Sequence, residues 1–242
     1  MNVKSLVAGL GFALLISAAS SAASAPTAIG LKPSPVASAF NWTGAYVGAN
    51  VGYSFGWTQL EPVGSLAVIA PFSGNVLRPN GGAIGLTLGY NYEFSNSVVL
   101  GIEADADLAD LRASGAFTED DSTGNLWNSR VDSFGTIRAR AGYAFDRVLP
   151  YITGGVAWQH STGAVNYESG GFVPFVASSV GWVVGAGVEY AFADHWTAKL
   201  EYLHMDFGNH NNPGITVSDS VTQGGNFSTT NDVVRLGLNY KF

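Results

Sequence analysis

Three of the four histidines, His160, His204 and His210, and the carboxylates of "TEDDSTGN" (Thr118 to Asn125) are the residues of this 242-residue chain whose types could hold a metal or cofactor. Neutral imidazole ligates transition metals and haem, and grouped carboxylates hold divalent cations. The spacing argues for something plainer: the histidines lack the close pairing of a metal-ligand motif, and the acidic run reads as a hydrated loop tip. His204 and Asp206 stand two apart and would share one face of a strand, as an acid and a base might, yet no nucleophile with a partner accompanies them. The Gly-rich "VVGAGVEY" (Val183 to Tyr190) superficially resembles a phosphate loop, but its glycines alternate along a strand and no helix follows. Without cysteine there are no thiolate sites and no disulfides. No catalytic residue, cofactor or metal is expected, and the chain is not read as an enzyme.

A second set of residues carries charge in a different pattern. Glu103, Asp105, Arg138, Arg140, Glu189, Lys199, Glu201 and Arg235 each occupy the small or polar phase of a segment whose other phase is apolar. The clearest such segment is Gly81 to Phe94, where Ile84, Leu86, Leu88, Tyr90, Tyr92 and Phe94 alternate with Ala83, Gly85, Thr87, Gly89, Asn91 and Glu93. Period-two alternation puts the two sets on opposite faces of a strand. The same pattern recurs in Thr43 to Phe55, Val98 to Leu108, Thr136 to Phe145, Pro150 to His160, Val180 to Phe192, Trp196 to Phe207 and Val233 to Phe242, which makes eight candidate strands. Connections after the second, fourth and sixth, around Asn96, Arg147 and Asp194, are short, and the other four are long and polar. Short turns at one end and long loops at the other characterise an up-and-down outer-membrane barrel, with both termini on the periplasmic side and the long loops outside the cell.

Alternation alone also suits a soluble barrel, so the character of the two faces decides the orientation. One face is large and apolar; the other is Gly-rich, with oppositely signed charges. That assigns the apolar face to lipid and the charges to a narrow lumen. A symmetric hairpin would set Glu103 against Arg140 and Asp105 against Arg138, with Glu189 against Lys199 across the turn at Asp194, and Arg235 and Glu201 joining them. An eight-stranded barrel is just wide enough for side chains to fill it, so a plugged interior is expected. Aromatic girdles fall at Trp42, Tyr92, Phe94, Tyr143, Phe145, Tyr190, Phe192, Trp196, Tyr240 and Phe242 toward the short turns, and at Tyr53, Trp57, Trp158, Trp182 and Tyr202 toward the long loops.

Composition agrees. Only 12% of residues are charged, against ~25% for globular chains, and 31 are glycine. A net charge of -7 without a basic patch excludes nucleic acid as a partner. Residues 1–25 read as an export signal, with Lys4, an apolar core from Leu6 to Ile16 and small residues before a cut between Ala22 and Ala25. Residues 26–40, with Pro26, Pro33 and Pro35, read as a periplasmic linker, and residues 41–242 as the barrel domain.

The stretches "FNWTGAYVGANVGYSFGW" (Phe40 to Trp57), "SFGTIRARAGYAFDRVLPYITGGVAW" (Ser133 to Trp158), "KLEYLHMDFG" (Lys199 to Gly208) and "VVRLGLNYKF" (Val233 to Phe242) resemble the small outer-membrane immunogenic, porin-like β-barrel proteins of alphaproteobacteria. These are related in architecture to the OmpA-type transmembrane domain. The resemblance covers the whole mature chain. It implies an eight-stranded antiparallel transmembrane barrel in the bacterial outer membrane, with a structural and surface-antigen role. It also admits a weak porin passing small solutes, or loops that bind haem or a host ligand. By the same resemblance Leu238, Tyr240 and Phe242 form the terminal signal read by the barrel-assembly machinery, and membrane lipids and lipopolysaccharide are the surrounding partners. A monomer is the default expectation.

Overall fold

The computed structural model describes residues 40–64, 76–116, 126–166, 172–218 and 221–242. The export signal, most of the proposed linker and the acidic run of Thr118 to Asn125 lie outside the described residues. The described residues form nine strands: β1 (Gly44–Gly64), β2 (Val76–Leu77), β3 (Asn80–Glu93), β4 (Val98–Ala116), β5 (Leu126–Tyr143), β6 (Val148–Asn166), β7 (Phe172–Ala191), β8 (Trp196–Ser218) and β9 (Val221–Lys241). All pair antiparallel, each long strand with its neighbour in sequence, and β1 closes onto β9 from Tyr46↔Lys241 to Gly64↔Gln223. Eight long strands therefore make a closed barrel toward the tight turns, and beyond Trp182↔Asp206 β7 and β8 no longer pair with each other. β2 is a continuation of β3 along β1, separated from it at Arg78 and Pro79, where proline has no N–H to give the ladder.

The strands run longer than the alternation alone marked. β8 and β9 are laddered from Trp196↔Tyr240 out to Ser218↔Val221. Since ~9 to 11 tilted residues cross a bilayer, strands of 19 to 23 residues continue well past it at the end away from the tight turns. Polar residues there hide the two-residue period, so the sequence reads as loop where the backbone is still paired. The tight turns are those expected; Ser97 (φ 65°) and Asp146 (φ 55°) adopt the left-handed conformation in two of them.

Outward residues form a continuous apolar wall: Leu86 and Leu108 are 70% and 71% exposed, and Ile84, Ile102, Ile137, Ile152 and Leu236 match them. Hydrocarbon, which makes no hydrogen bonds, is the solvent that leaves such a wall stable. Every expected girdle aromatic lies on this outer surface except Trp42, which is buried inside the barrel.

Candidate functional site: the barrel interior

The lumen is filled by side chains in three tiers. The middle tier is ionic. Glu103, Asp105 and Asp107 from β4, Arg138 and Arg140 from β5, Glu189 from β7, Lys199 and Glu201 from β8 and Arg235 from β9 are each at most 4% exposed. Arg138 reaches three carboxylates: Asp105 at 2.8 Å, Glu201 at 2.9 Å, and Glu103. Lys199 Nζ donates to both oxygens of Glu103 at 2.8 Å. Arg235 binds Glu201 at 2.7 Å and Asp105 at 3.1 Å, and Arg140 binds Glu189 at 2.7 Å. Burial would make any one of these charges very costly; charge-assisted bonds among all of them offset that cost.

Two tyrosines complete this tier. Tyr46 Oη donates to Glu103 at 2.8 Å and accepts from Arg140 at 3.0 Å. Tyr151 Oη donates to Glu201 at 2.9 Å, and the Arg140 guanidinium lies 3.9 Å from the centre of its ring. The neighbouring strands make room with glycine: a Cβ at Gly89 would run into the Tyr46 ring, and one at Gly187 into the Tyr151 hydroxyl. Hence the glycines of the small face are packing positions for large residues of the next strand.

Apolar tiers close both ends. At the tight-turn end Phe40, Trp42, Val99, Ala144, Leu149 and Ala191 form one cluster. Trp42 is pinned there by its backbone N–H to Glu93 (2.9 Å) and its indole N–H to the Asp146 carbonyl (3.0 Å). The chain leading into β1 thus folds back into the barrel mouth, and Phe40, which ends the proposed linker, is already packed. At the other end Leu111, Phe134, Leu203, Met205, Phe207 and Val233 cap the ionic tier, with an Asn231–Gln159 hydrogen bond (2.8 Å) among them. The narrow polar lumen expected from the alternation is thus confined to the middle tier. β-Bulges between Leu108 and Leu111 and between Val131 and Ser133 lie beside this upper cluster and re-aim its side chains.

The register corrects the expected pairs. Glu103 lies opposite Arg138 rather than Arg140, and Asp105 opposite Thr136 rather than Arg138. Arg112 and Arg130 do face each other, which alone would set Glu103 opposite Ala139, and the extra residue on β4 at the bulge shifts everything below by one further place. The expected contacts survive as diagonals, Arg138–Asp105 at 2.8 Å and Arg140–Glu103 at 3.6 Å. Glu189 and Lys199 are register partners, as are Glu201 and Arg235. Yet Glu189 bonds Arg140, Thr197 and Asn239, while Lys199 turns across the lumen to Glu103. Sequence reasoning assigned no role to Asp107, Tyr46 or Tyr151. The signal was present for Tyr46 and Asp107, which share the small face with glycine and asparagine.

The other candidates separate. His160 on β6 meets Ser178 (3.1 Å), the His210 side chain lies outside the described residues, and among the described residues no group of metal-ligating side chains converges. His204 and Asp206 do share a face, the outer one, but His204 bonds Asp232 of β9 at 2.8 Å, beside Trp182 and Tyr202. No nucleophile joins them among the described contacts. At the rim away from the tight turns, hydrogen bonds from Arg112 hold the exposed Asp110 carboxyl below the usual carboxylate range. Leu238, Tyr240 and Phe242 lie on the outer wall, where Tyr240 packs edge-on against Trp196 and Phe242.

Comparison with known proteins agrees with this architecture. The family model described as "outer membrane protein beta-barrel domain" matches residues 10–242. The 31 kDa outer-membrane immunogenic protein of Brucella melitensis biotype 1 is 37% identical over 227 residues, covering 90% of this chain and 89% of its own. The 25 kDa outer-membrane immunogenic protein of Brucella abortus biovar 1 is 29% identical, covering 100% and 99%. Among solved structures, the outer membrane protein OprG of Pseudomonas aeruginosa superposes with a TM-score of 0.52 at 12% identity, over 84% of this chain and 98% of its own, a likeness of fold.

Proposed function

Because this chain belongs to the outer membrane protein beta-barrel domain family, we propose that it is a structural component of the envelope: a non-conducting outer-membrane barrel that stiffens the bilayer and presents surface loops. The observation that carries this reading is the filled interior. Side chains of the ionic tier are no more than 4% exposed, and apolar clusters bound them at both ends. A transport pathway would need a wet, lined channel; here cations and carboxylates are spent on one another. The tight turns and both termini face the periplasm, and the laddered strand extensions with their loops face outward, which suits a surface antigen. The relatives named above are called immunogenic, and the same role is assigned here to those loops.

Purified protein in a planar lipid bilayer tests the reading. The expected record is flat at membrane potentials of either sign, and long-lived conductance steps would replace the structural role by that of a weak porin.

The C-terminal strand is proposed to address the chain to the assembly machinery. Phe242 donates its N–H to the Ala45 carbonyl at 3.0 Å and is exposed at the barrel edge, so it adds little to the core and is free to be read before closure. Deleting Phe242 is expected to leave most of the protein unassembled in the periplasm, measured as loss of the compact, heat-modifiable band from outer-membrane fractions. Normal surface levels would remove the proposal.

A further inference from the structure

On the outer wall, at the end away from the tight turns, β1 turns Tyr53, Phe55 and Trp57 outward in succession, each roughly half exposed at 53%, 45% and 46%. Facing them across the break between β2 and β3 are Arg78, Pro79 and Asn80, and with Gly56 these residues line a concavity of about 560 Å³. Its walls are tied together. Gly56 N–H donates to the Pro79 carbonyl at 2.9 Å, Tyr53 Oη donates to Asn80 Oδ1 at 2.9 Å, and Asn80 Nδ2 donates to the Arg78 carbonyl at 3.2 Å. The proline break is what turns Arg78 out of the ladder. Elsewhere on this rim arginine is compensated: Arg112 by Asp110, and Arg130 by Asp110 and Asp132. Among the described side chains, none is ion-paired with Arg78.

We propose that this concavity is a binding site for a phosphorylated, multiply acylated glycolipid of the outer leaflet. The phosphate takes the Arg78 guanidinium in a two-pronged contact, and the sugar face and first methylenes lie on Phe55 and Trp57. Three features select that occupant. A guanidinium matches a phosphate bidentately. Aromatic rings belong at the membrane interface, apolar on one side and wet at the other. The concavity opens on the lipid-facing wall, and a water-borne anion bound to Arg78 would leave the apolar faces of its rings uncovered. The inference rests on the proposed orientation for the lipid's leaflet, but binding in detergent does not depend on it.

The test is titration of the full barrel in maltoside micelles with bisphosphorylated lipid A, reading the lipid-bound fraction by native mass spectrometry. Arg78→Glu and Arg78→Gln, each first shown to keep the parental heat-modifiable migration, are expected to weaken lipid A binding by about tenfold, the scale of one charge-assisted bidentate contact. Dephosphorylated lipid A should bind the parental protein as weakly as lipid A binds the variants, and Arg130→Gln should bind lipid A like the parent. Variants at Arg78 that bind within twofold of the parent would overturn the site. So would full competition by millimolar inorganic phosphate, which would make the ligand a free anion. A flat result at Arg78 leaves the conductance reading untouched, so the two failures are distinguishable.

Discussion

Arg138→Ala is expected to cost the folded barrel about 3–5 kcal/mol, the range for removing one partner from a buried ion pair, and the true cost should sit at the upper end. The guanidinium holds Glu103, Asp105 and Glu201 at once, and it also donates Nε–H to Thr136 at 2.8 Å. Truncation leaves three carboxylates around a cavity with Lys199, Arg235 and, at 3.6 Å from Glu103, Arg140 to hold them. Urea unfolding in detergent micelles, followed by tryptophan fluorescence or by the heat-modifiable band, reads the loss. Arg138→Lys should recover part of it, since an ammonium supplies charge but not the fork that spans three partners. Removing one of the orphaned acids as well, in Arg138→Ala with Glu201→Gln, should cost less than the sum of the two single changes, because the second substitution removes a charge the first left uncompensated. Strict additivity would mean the tier is a set of independent pairs.

The network explains why the interior needs its end clusters. A buried ion pair gains strength from a poorly polarisable surrounding, and water entering from either mouth would weaken every contact in the tier. Trp42 and Phe40 at one end, and Leu111, Phe134, Met205 and Phe207 at the other, provide that exclusion. The ionic tier in turn links opposite walls. Lys199 on β8 reaches Glu103 on β4, and Arg138 on β5 reaches Glu201 on β8, so strands with no shared ladder are coupled through the lumen. Backbone pairing closes the barrel; these cross-lumen contacts set its cross-section.

Strand number, closure and the outward apolar face were legible in the alternation, because a strand's two faces are written at every second residue. Register was not. A single extra residue on β4 between Leu108 and Leu111 shifts the ladder below it by one place, so Glu103 faces Arg138 where an unbulged hairpin closed on Arg112 and Arg130 would give it Ala139, and nothing in that local sequence distinguishes a bulge from an ordinary strand. Nor could alternation say that Lys199 would bypass its facing residue Glu189 for Glu103, since long side chains choose partners across a lumen whose diameter is a property of the closed sheet. Trp42 misled for a related reason: an aromatic near a short turn suits the girdle, and only the path of the chain before β1 turns it inward. Asp107 and Tyr46 lay on the right face and were legible as lumen residues, but their roles depend on partners brought by other strands.

Leu86→Arg is the sharpest test of which solvent the wall meets. Leu86 lies at the middle of β3, 70% exposed, between Ala49 on β1 and Ala106 on β4 in the register. Its neighbour Thr87 points the other way and is buried beside Asn50. If water bathed the outer wall, an exposed Leu→Arg change would fall within about 0.5 kcal/mol of neutral. In hydrocarbon an arginine at mid-depth costs about 2–4 kcal/mol, falling to about 0–1 near the interface. We therefore expect a large destabilisation for Leu86→Arg and a small one for Val98→Arg, which sits at the tight-turn end, in urea titrations of protein folded into phosphatidylcholine vesicles. The gradient with depth is the decisive feature, because a merely poor packing change would not know how far it lies from the turns. Equal, small effects at both positions would place water outside the barrel. The apolar wall would then need a protein partner to cover it, and the lipid site at Arg78 would lose its setting along with it.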